Sequence, residues 1–365
     1  MKSLVVELDK ITANLKLIKN TVPNSKIIGV VKGNGYGMGL IPFSKHLVSL
    51  GVDMLAVADL DEGVFLRENG IDAEILLMTP TCDGSKAEAI VANSITPAVG
   101  SVEDLLCFEE EAAKQGRELN SHILIDTGFG RDGFMPDQIE GAIKVIKGLK
   151  NVNITGIFSH LSASFNKKEK SNKAQFELFM EIIRKFENEG IYFKVKHIAN
   201  SCAIFLHPYM ALDAVRAGSA LIGRLPLKEN FGLQRVGYLK CDIENIRTLP
   251  PKHNIGYSNL YKSKCEMKIG VANAGYADGI SCARSNPPLS FKDCLRYVFR
   301  DIKRYLKRTK TYCQVGDKKA PVLGLVCMSN TIIDLRGIDC SPGDFARFDN
   351  IIPFLVDSSI KREYI

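Results

Sequence analysis

The stretch 27–39, IIGVVKGNGYGMG, decides between two architectures. It opens on a short continuous apolar run, the mark of a strand covered on both faces, and passes into a glycine-rich turn. An open, doubly wound nucleotide-binding sheet would write that turn as GxGxxG and place an acidic residue after its second strand. KGNGYGMG does not fit that pattern. The apolar rhythm recurs at 54–58, 75–79, 95–99, 122–126, 154–159, 195–199 and from 215 onward, eight runs in all, separated by segments of helical period. One such segment, 101–115 (SVEDLLCFEEEAAKQ), begins as a capping box, Ser101 followed by Glu103 and Asp104, and another covers 174–189. Strand and helix alternating eight times predict an α/β fold, a closed eight-stranded parallel (β/α) barrel over 9–226.

Beyond Pro226 the rhythm changes. The segments 236–243, 267–271, 322–326 and 331–335 are short, β-prone and bounded by Gly, Pro, Asn and Asp. They predict a second, mainly β domain over 227–365, joined by 1–8. Within it, apolar residues at 291, 294, 295, 298, 299, 302, 305 and 306 predict an amphipathic helix of about four turns.

The 365 residues are long enough for one large core and a smaller one. No 18-residue apolar run and no leader pattern stand in the sequence, so neither a membrane span nor a signal peptide is expected, and a cytoplasmic location is. Ten scattered cysteines without a CxxC pair read as free thiols in a reducing compartment, with no metal site expected. The formal charge of +7 raises the question of a polyanionic partner. Residues 284–310 hold nine Lys and Arg against Asp293 and Asp301, which is again +7, so the rest of the chain sums to zero. The body of the chain therefore calls for no nucleic acid. The inserted helix is expected to be a surface helix packed on the β domain with a solvated cationic face, ahead of a role near the entrance to a site or binding to nucleic acid or an anionic membrane.

In a barrel of this kind the chemistry gathers at the carboxyl ends of the strands. The residues there are Lys32, Asp126 and Arg131, His160, Asn200 and Ser201, then Arg216 with Gly218. Singly each has an ordinary reading, a surface lysine or a bracing histidine. Together, cations, a hydroxyl and glycines on one face suggest an anionic cofactor with a reactive carbonyl, because lysine forms Schiff bases and glycine amides and serine bind phosphate.

VVKGNGYGMG resembles the pyridoxal-phosphate lysine segment of alanine racemases, VVKANAYGHG. Seven further segments resemble that family in its order: IDTGFGRDGF (125–134), GIFSH (156–160), HIANSCA (197–203), VRAGSALIG (215–223), IGYSNLY (255–261), AGYADG (274–279) and PVLGLVCM (321–328). The resemblance implies a pyridoxal 5'-phosphate enzyme of fold type III, racemising alanine or another small amino acid such as serine, and a homodimer whose active site is shared between subunits. It implies D-alanine supply for peptidoglycan.

By the same resemblance Lys32 holds the cofactor and is one catalytic base, and Tyr257 from the other subunit is the opposing base. Tyr36, Ser201, Gly218 and Ser219 bind phosphate, with Asn200 beside them. Arg216 faces the pyridine nitrogen, and His197 stacks near or braces the ring. Arg131 and His160 are the groups expected to favour the Tyr257 phenolate. Met328 presents its amide to the substrate carboxylate, and Tyr276 lines the entrance. Four positions depart from the family: Phe354 where a phosphate-binding tyrosine is usual, Leu124 where some members hold a carbamylated lysine, Ser329 for Asp and Met38 for His. They leave open a serine or broader substrate range, or a weakly catalytic cofactor-binding sensor.

Overall fold

The computed structural model describes residues 1–81, 83–168, 170–283, 290–306 and 311–365. The expected free thiol of Cys82 and the flanks 284–289 and 307–310 of the inserted helix lie outside them. The chain divides into two compact units, 8–236 and 1–7 with 237–365.

In the first unit the strands Lys26–Val30, Met54–Val57, Glu74–Leu77, Thr96–Val99, Leu119–Leu124, Val152–Phe158 and Val195–His197 pair in chain order, all parallel, and Ala214–Ala217 pairs with the first. The eight predicted runs are thus the eight barrel strands. Their continuous apolar character follows from burial on both faces, as in Met54–Val57, every residue of which is buried. Ile28, Val30, Met54, Ala56, Leu76 and Ala214 form a core cluster of these strands. Between the seventh and eighth strands the ring closes through the parallel bridge Asn200↔Arg216, with the Arg216 amide donating to the Ala199 carbonyl at 2.9 Å.

The helix Val102–Gln115 starts as its sequence predicts. Ser101 Oγ accepts from the Asp104 amide at 3.0 Å, and Asp104 Oδ2 accepts from the amides of Ser101 at 3.1 Å and Gly100 at 2.8 Å. Capping of this kind is worth roughly 1 kcal/mol. The expected helix over 174–189 runs from Lys170 to Asn188.

In the second unit Tyr238–Leu249 is the central strand. It pairs antiparallel with Lys2–Val6, Met267–Ala272 and Phe345–Phe348, while Lys361–Tyr364 lies parallel to Lys2–Val6. Thr331–Asp334 and the hairpin Tyr312–Val315, Lys318–Pro321 complete the sheet. The expected strand at 322–326 is corrected: only Val322 forms an isolated bridge, with Ile333, and Gly324 at φ +66° turns the chain out of extended conformation. The helix Phe291–Leu306 forms as predicted, but its apolar side chains are exposed rather than packed on the β unit. Among the described residues no helix is long and apolar enough to cross a membrane.

Candidate active site

Lys32 follows the first barrel strand directly and enters a turn whose residues Gly33, Asn34, Gly35, Tyr36 and Gly37 all have positive φ, between 54° and 84°. A left-handed path is costly for residues with a Cβ, so glycines at three of five places make it affordable in conformational terms. Side chains also pin it: Asn34 Oδ1 accepts from the Leu40 amide at 2.8 Å, and Glu62 Oε1 accepts from the Asn34 amide at 2.8 Å. The turn brings Tyr36 back over the eighth strand, where its hydroxyl sits so close to Gly218 that a Cβ there would collide with it.

A cavity of about 340 Å³ opens at this end of the barrel, within the range usual for small-molecule sites. Lys32, Tyr36, His160, Asn200, Ser201, Arg216, Gly218 and Ser219 all line it. Asn200 caps the helix Ser201–Leu206, its Oδ1 accepting from the amides of Cys202 and Ala203 at 3.1 and 3.2 Å. Ser201 Oγ accepts from the amides of Gly218 at 3.0 Å and Ala220 at 3.2 Å. Hydroxyl and amides thus converge on one small region of the wall.

Arg216 is 3% exposed, yet its guanidinium meets only neutral acceptors. Nη1 donates to His197 Nδ1 at 2.8 Å and to the His197 carbonyl at 3.2 Å. Nη2 donates to the carbonyls of Ser159 at 2.7 Å and Ile198 at 3.3 Å and approaches His160 Nδ1 at 3.3 Å. Burial, with Arg131 nearby, pulls its pKa down to about 9, so at neutral pH it stays a cation. The arrangement dictates the tautomers beyond it. His197 Nδ1 accepts from Arg216, so its Nε2 carries the proton and donates to His122 Nδ1 at 3.0 Å, leaving the proton of His122 on Nε2. His122 Nε2 is buried without a partner and rests against Gly156, where a Cβ would strike the ring.

His197 therefore takes no part in the cavity wall. It is fully buried, stacks on Phe158 at 4.9 Å and 3°, and braces Arg216. His160 also departs from expectation: burial, then Arg216, Arg131 and Lys32, lower its pKa to about 3, so it is neutral and cannot supply positive charge to a phenolate. Arg131, the other residue expected in that role, has its guanidinium over the Phe129 ring at 4.8 Å and its Nε donating to Asp132 Oδ2 at 3.1 Å. Leu124 packs with Ala98 and Phe158. Lys32 is accessible along the cavity, yet protein atoms around its ammonium, then Arg131 and Arg216, lower its pKa and favour the free amine a carbonyl requires.

The three remaining expected residues belong to the other unit. Tyr257, 65% exposed, lies in the turn Tyr257–Asn259 beside a loop whose Gly256 approaches Leu325. The Tyr276 amide donates to the Cys327 carbonyl at 3.0 Å and the Ala277 amide to the Met328 carbonyl at 3.1 Å, which joins Tyr276 and Met328 on adjacent loops. Phe354, half exposed, occupies the turn Pro353–Leu355. Sequence reasoning missed Glu62, which reads as an ordinary residue in the first turn of the helix Leu60–Glu68, and His122, which reads as one position of an apolar strand.

The donor set fits pyridoxal phosphate. A lysine with a depressed pKa would suit an aldehyde, convergent hydroxyl and amide groups would suit a phosphate, and a buried cation without a carboxylate would suit an unprotonated ring nitrogen. Comparison with known proteins agrees. Residues 6–226 match the family model "Alanine racemase, N-terminal domain" and residues 236–350 match "Alanine racemase, C-terminal domain". The chain is 34% identical to the alanine racemase of Clostridium tetani over 92% of its own length and 82% of the relative's. It is 33% identical to alanine racemase 2 of Caldanaerobacter subterraneus subsp. tengcongensis over 92% and 81%. A solved alanine racemase of Clostridium difficile superposes with a TM-score of 0.85 at 26% identity, over 100% of this chain and 95% of that one. With both of its units matched in order by the two models of one family, the chain belongs to the alanine racemase family.

Proposed function

We propose that the protein interconverts L- and D-alanine with pyridoxal 5'-phosphate by a two-base route. The observation that carries this reading is the meeting of Lys32, its pKa depressed, with the buried Arg216 cation in one cavity. When bound, the cofactor supplies the electron withdrawal that lets a Cα proton leave. Inverting a stereocentre needs a proton taken on one face and returned on the other. Lys32 Nζ serves one face and the Tyr257 hydroxyl, from a partner subunit in a homodimer, the other. Arg216 keeps its own proton, so it would offer a cofactor ring nitrogen a hydrogen bond without protonating it, which would temper the electron withdrawal and restrain side reactions. Tyr36, Asn200, Ser201, Gly218 and Ser219 would hold the phosphate, with His160 in the same cavity wall and His197 bracing Arg216. Arg131 polarises Tyr257 and orients the substrate, Met328 receives the carboxylate on its amide, and Tyr276 lines the entrance. In this division of work residues 9–226 bind the cofactor and 227–365 with 1–8 deliver the opposing base. The product fits D-alanine supply to peptidoglycan from the cytoplasm. Phe354, lacking a phosphate-binding hydroxyl, favours a second reading in which serine or other small amino acids are also accepted.

The test is incubation of the loaded enzyme with L-alanine and with L-serine in D₂O, following optical rotation and α-deuteration. Alanine is expected to racemise with solvent deuterium at Cα. Lys32→Ala should lose at least about a thousandfold in rate, and Tyr257→Phe about a hundredfold or more while still exchanging the α-proton of one enantiomer. Release of CO₂ without racemisation would make the protein a decarboxylase. Cofactor binding through Lys32 with neither reaction would make it a sensor.

A further inference from the structure

The helix Phe291–Leu306 plays no part in the site above. At about 100° per residue, Phe291, Leu295, Val298, Phe299, Ile302 and Leu306 fall within one arc of the helix. All six are exposed, Phe291 at 77%, Phe299 at 67% and Leu306 at 72%. An amphipathic helix of a globular protein ordinarily buries that arc. Lys292, Lys303, Arg296 and Arg300 fill the adjoining arc, which begins beside Phe299 and runs to the far side of the helix. Its acids are already engaged: Asp293 pairs with Arg296 at 2.7 Å and Asp301 with Arg300 at 3.1 Å. The helix start is closed by Ser290, whose Oγ accepts from the Asp293 amide at 3.2 Å and donates to Asp293 Oδ2 at 2.9 Å.

We propose that this helix seats the enzyme on an anionic lipid surface, its apolar arc in the acyl boundary and its cations among the headgroups. Charge selects this occupant. Residues 284–310 carry +7 while the rest of the chain sums to zero, so a second copy of the helix would bring like charge to like, and the remaining surface holds no net negative charge to answer it. A nucleic acid would satisfy the cations but leave six large apolar side chains in water. A bilayer interface with acidic headgroups meets both arcs at once. The helix has 16 residues, and at 1.5 Å rise per residue it is too short to span a bilayer, so it lies on the surface.

The full-length, cofactor-loaded protein is sedimented with vesicles of phosphatidylcholine alone and of phosphatidylcholine mixed with phosphatidylglycerol, at low and high salt. Binding to the anionic vesicles is expected to be at least about tenfold tighter and to weaken with salt. Phe299→Asp and, separately, the pair Lys292→Glu with Arg300→Glu should each weaken it about tenfold, with racemisation and thermal midpoint unchanged. Equal or absent binding to the two vesicle types would overturn the proposal. So would full vesicle binding by Phe299→Asp, which would reduce the effect to bulk charge. A fall in oligomeric mass on Phe299→Asp would assign the face to a second copy, and tighter binding to RNA than to anionic vesicles, unaffected by Phe299→Asp, would assign it to nucleic acid. Failure here leaves the racemase reading intact, since the activity of the same preparations is read independently.

Discussion

The chain gathers positive charge in two places, and the two are built in opposite ways. In the barrel, burial and then Arg131 and Arg216 lower the pKa of Lys32, burial and then Arg131 lower that of Arg216, and Arg216 is held by imidazole and carbonyl groups with no carboxylate. On Phe291–Leu306 the cations stand in water, and Arg296 and Arg300 rest against the Tyr297 ring at 5.5 and 4.8 Å. Crowding cations in a dry place is unfavourable until an anion arrives, which is how a site prepares itself for a phosphorylated ligand. Cations in water carry no such debt and serve to attract.

The sharpest way to break this contrast is to remove one arginine from each place. Arg216→Ala strands the His197 and Ser159 acceptors in the barrel interior and should lower stability by about 3–5 kcal/mol, whereas Arg300→Ala should stay within about 0.5 kcal/mol. Urea unfolding of the two variants checks this, and equal losses would erase the distinction.

Acid should separate the places next. His122 is lowered to about 4 and His160 to about 3 by burial and Arg216, and His197 lies well below its usual value for the same reasons. An unfolded chain protonates these histidines near 6.5. Between pH 6.5 and about 4 the unfolded state therefore binds more protons. The stability they confer is fully present above 6.5 and is lost as pH falls through that window, at about 1.4 kcal/mol per pH unit for each histidine. His122→Asn should flatten the slope by one such increment, read from unfolding curves at stepped pH. An unchanged slope would mean that His122 is not held neutral.

The smallest effect concerns the backbone beside Lys32. Gly33 has φ +66° and Gly316, in the hairpin turn of the β unit, φ +56°, and a Cβ on either would meet nothing within 4 Å. Gly33→Ala and Gly316→Ala should each cost about 1 kcal/mol in thermal unfolding. A much larger cost at Gly33 would show that its turn is tied to the site and is more than a local backbone device.

How far the sequence could be read follows from what each signal measures. Apolar periodicity reports which faces are covered, so all eight barrel strands and the helix Phe291–Leu306 were legible. It does not report what covers them, and the exposed apolar arc of that helix was not foreseen. At 322–326 an apolar run mimics a strand, but Gly324 breaks the extended path. Lys32 and Ser201, which come soon after a strand, and Arg216, near the end of the last one, were legible because each carries chemistry on its own. Glu62 and His122 act only through a neighbour, Glu62 on the Asn34 amide and His122 on His197, and a contact across 28 or 75 residues leaves no local mark.

The bridge that closes the barrel has an evolutionary consequence. Asn200 and Arg216, which pair across the seam, are also the residues that cap the helix carrying Ser201 and supply the buried cation. Backbone atoms make the bridge, so a substitution at Asn200 or Arg216 would remove the helix cap or the buried cation and leave the pairing across the seam in place. The seam itself therefore places no constraint on which side chains a descendant of this chain carries there.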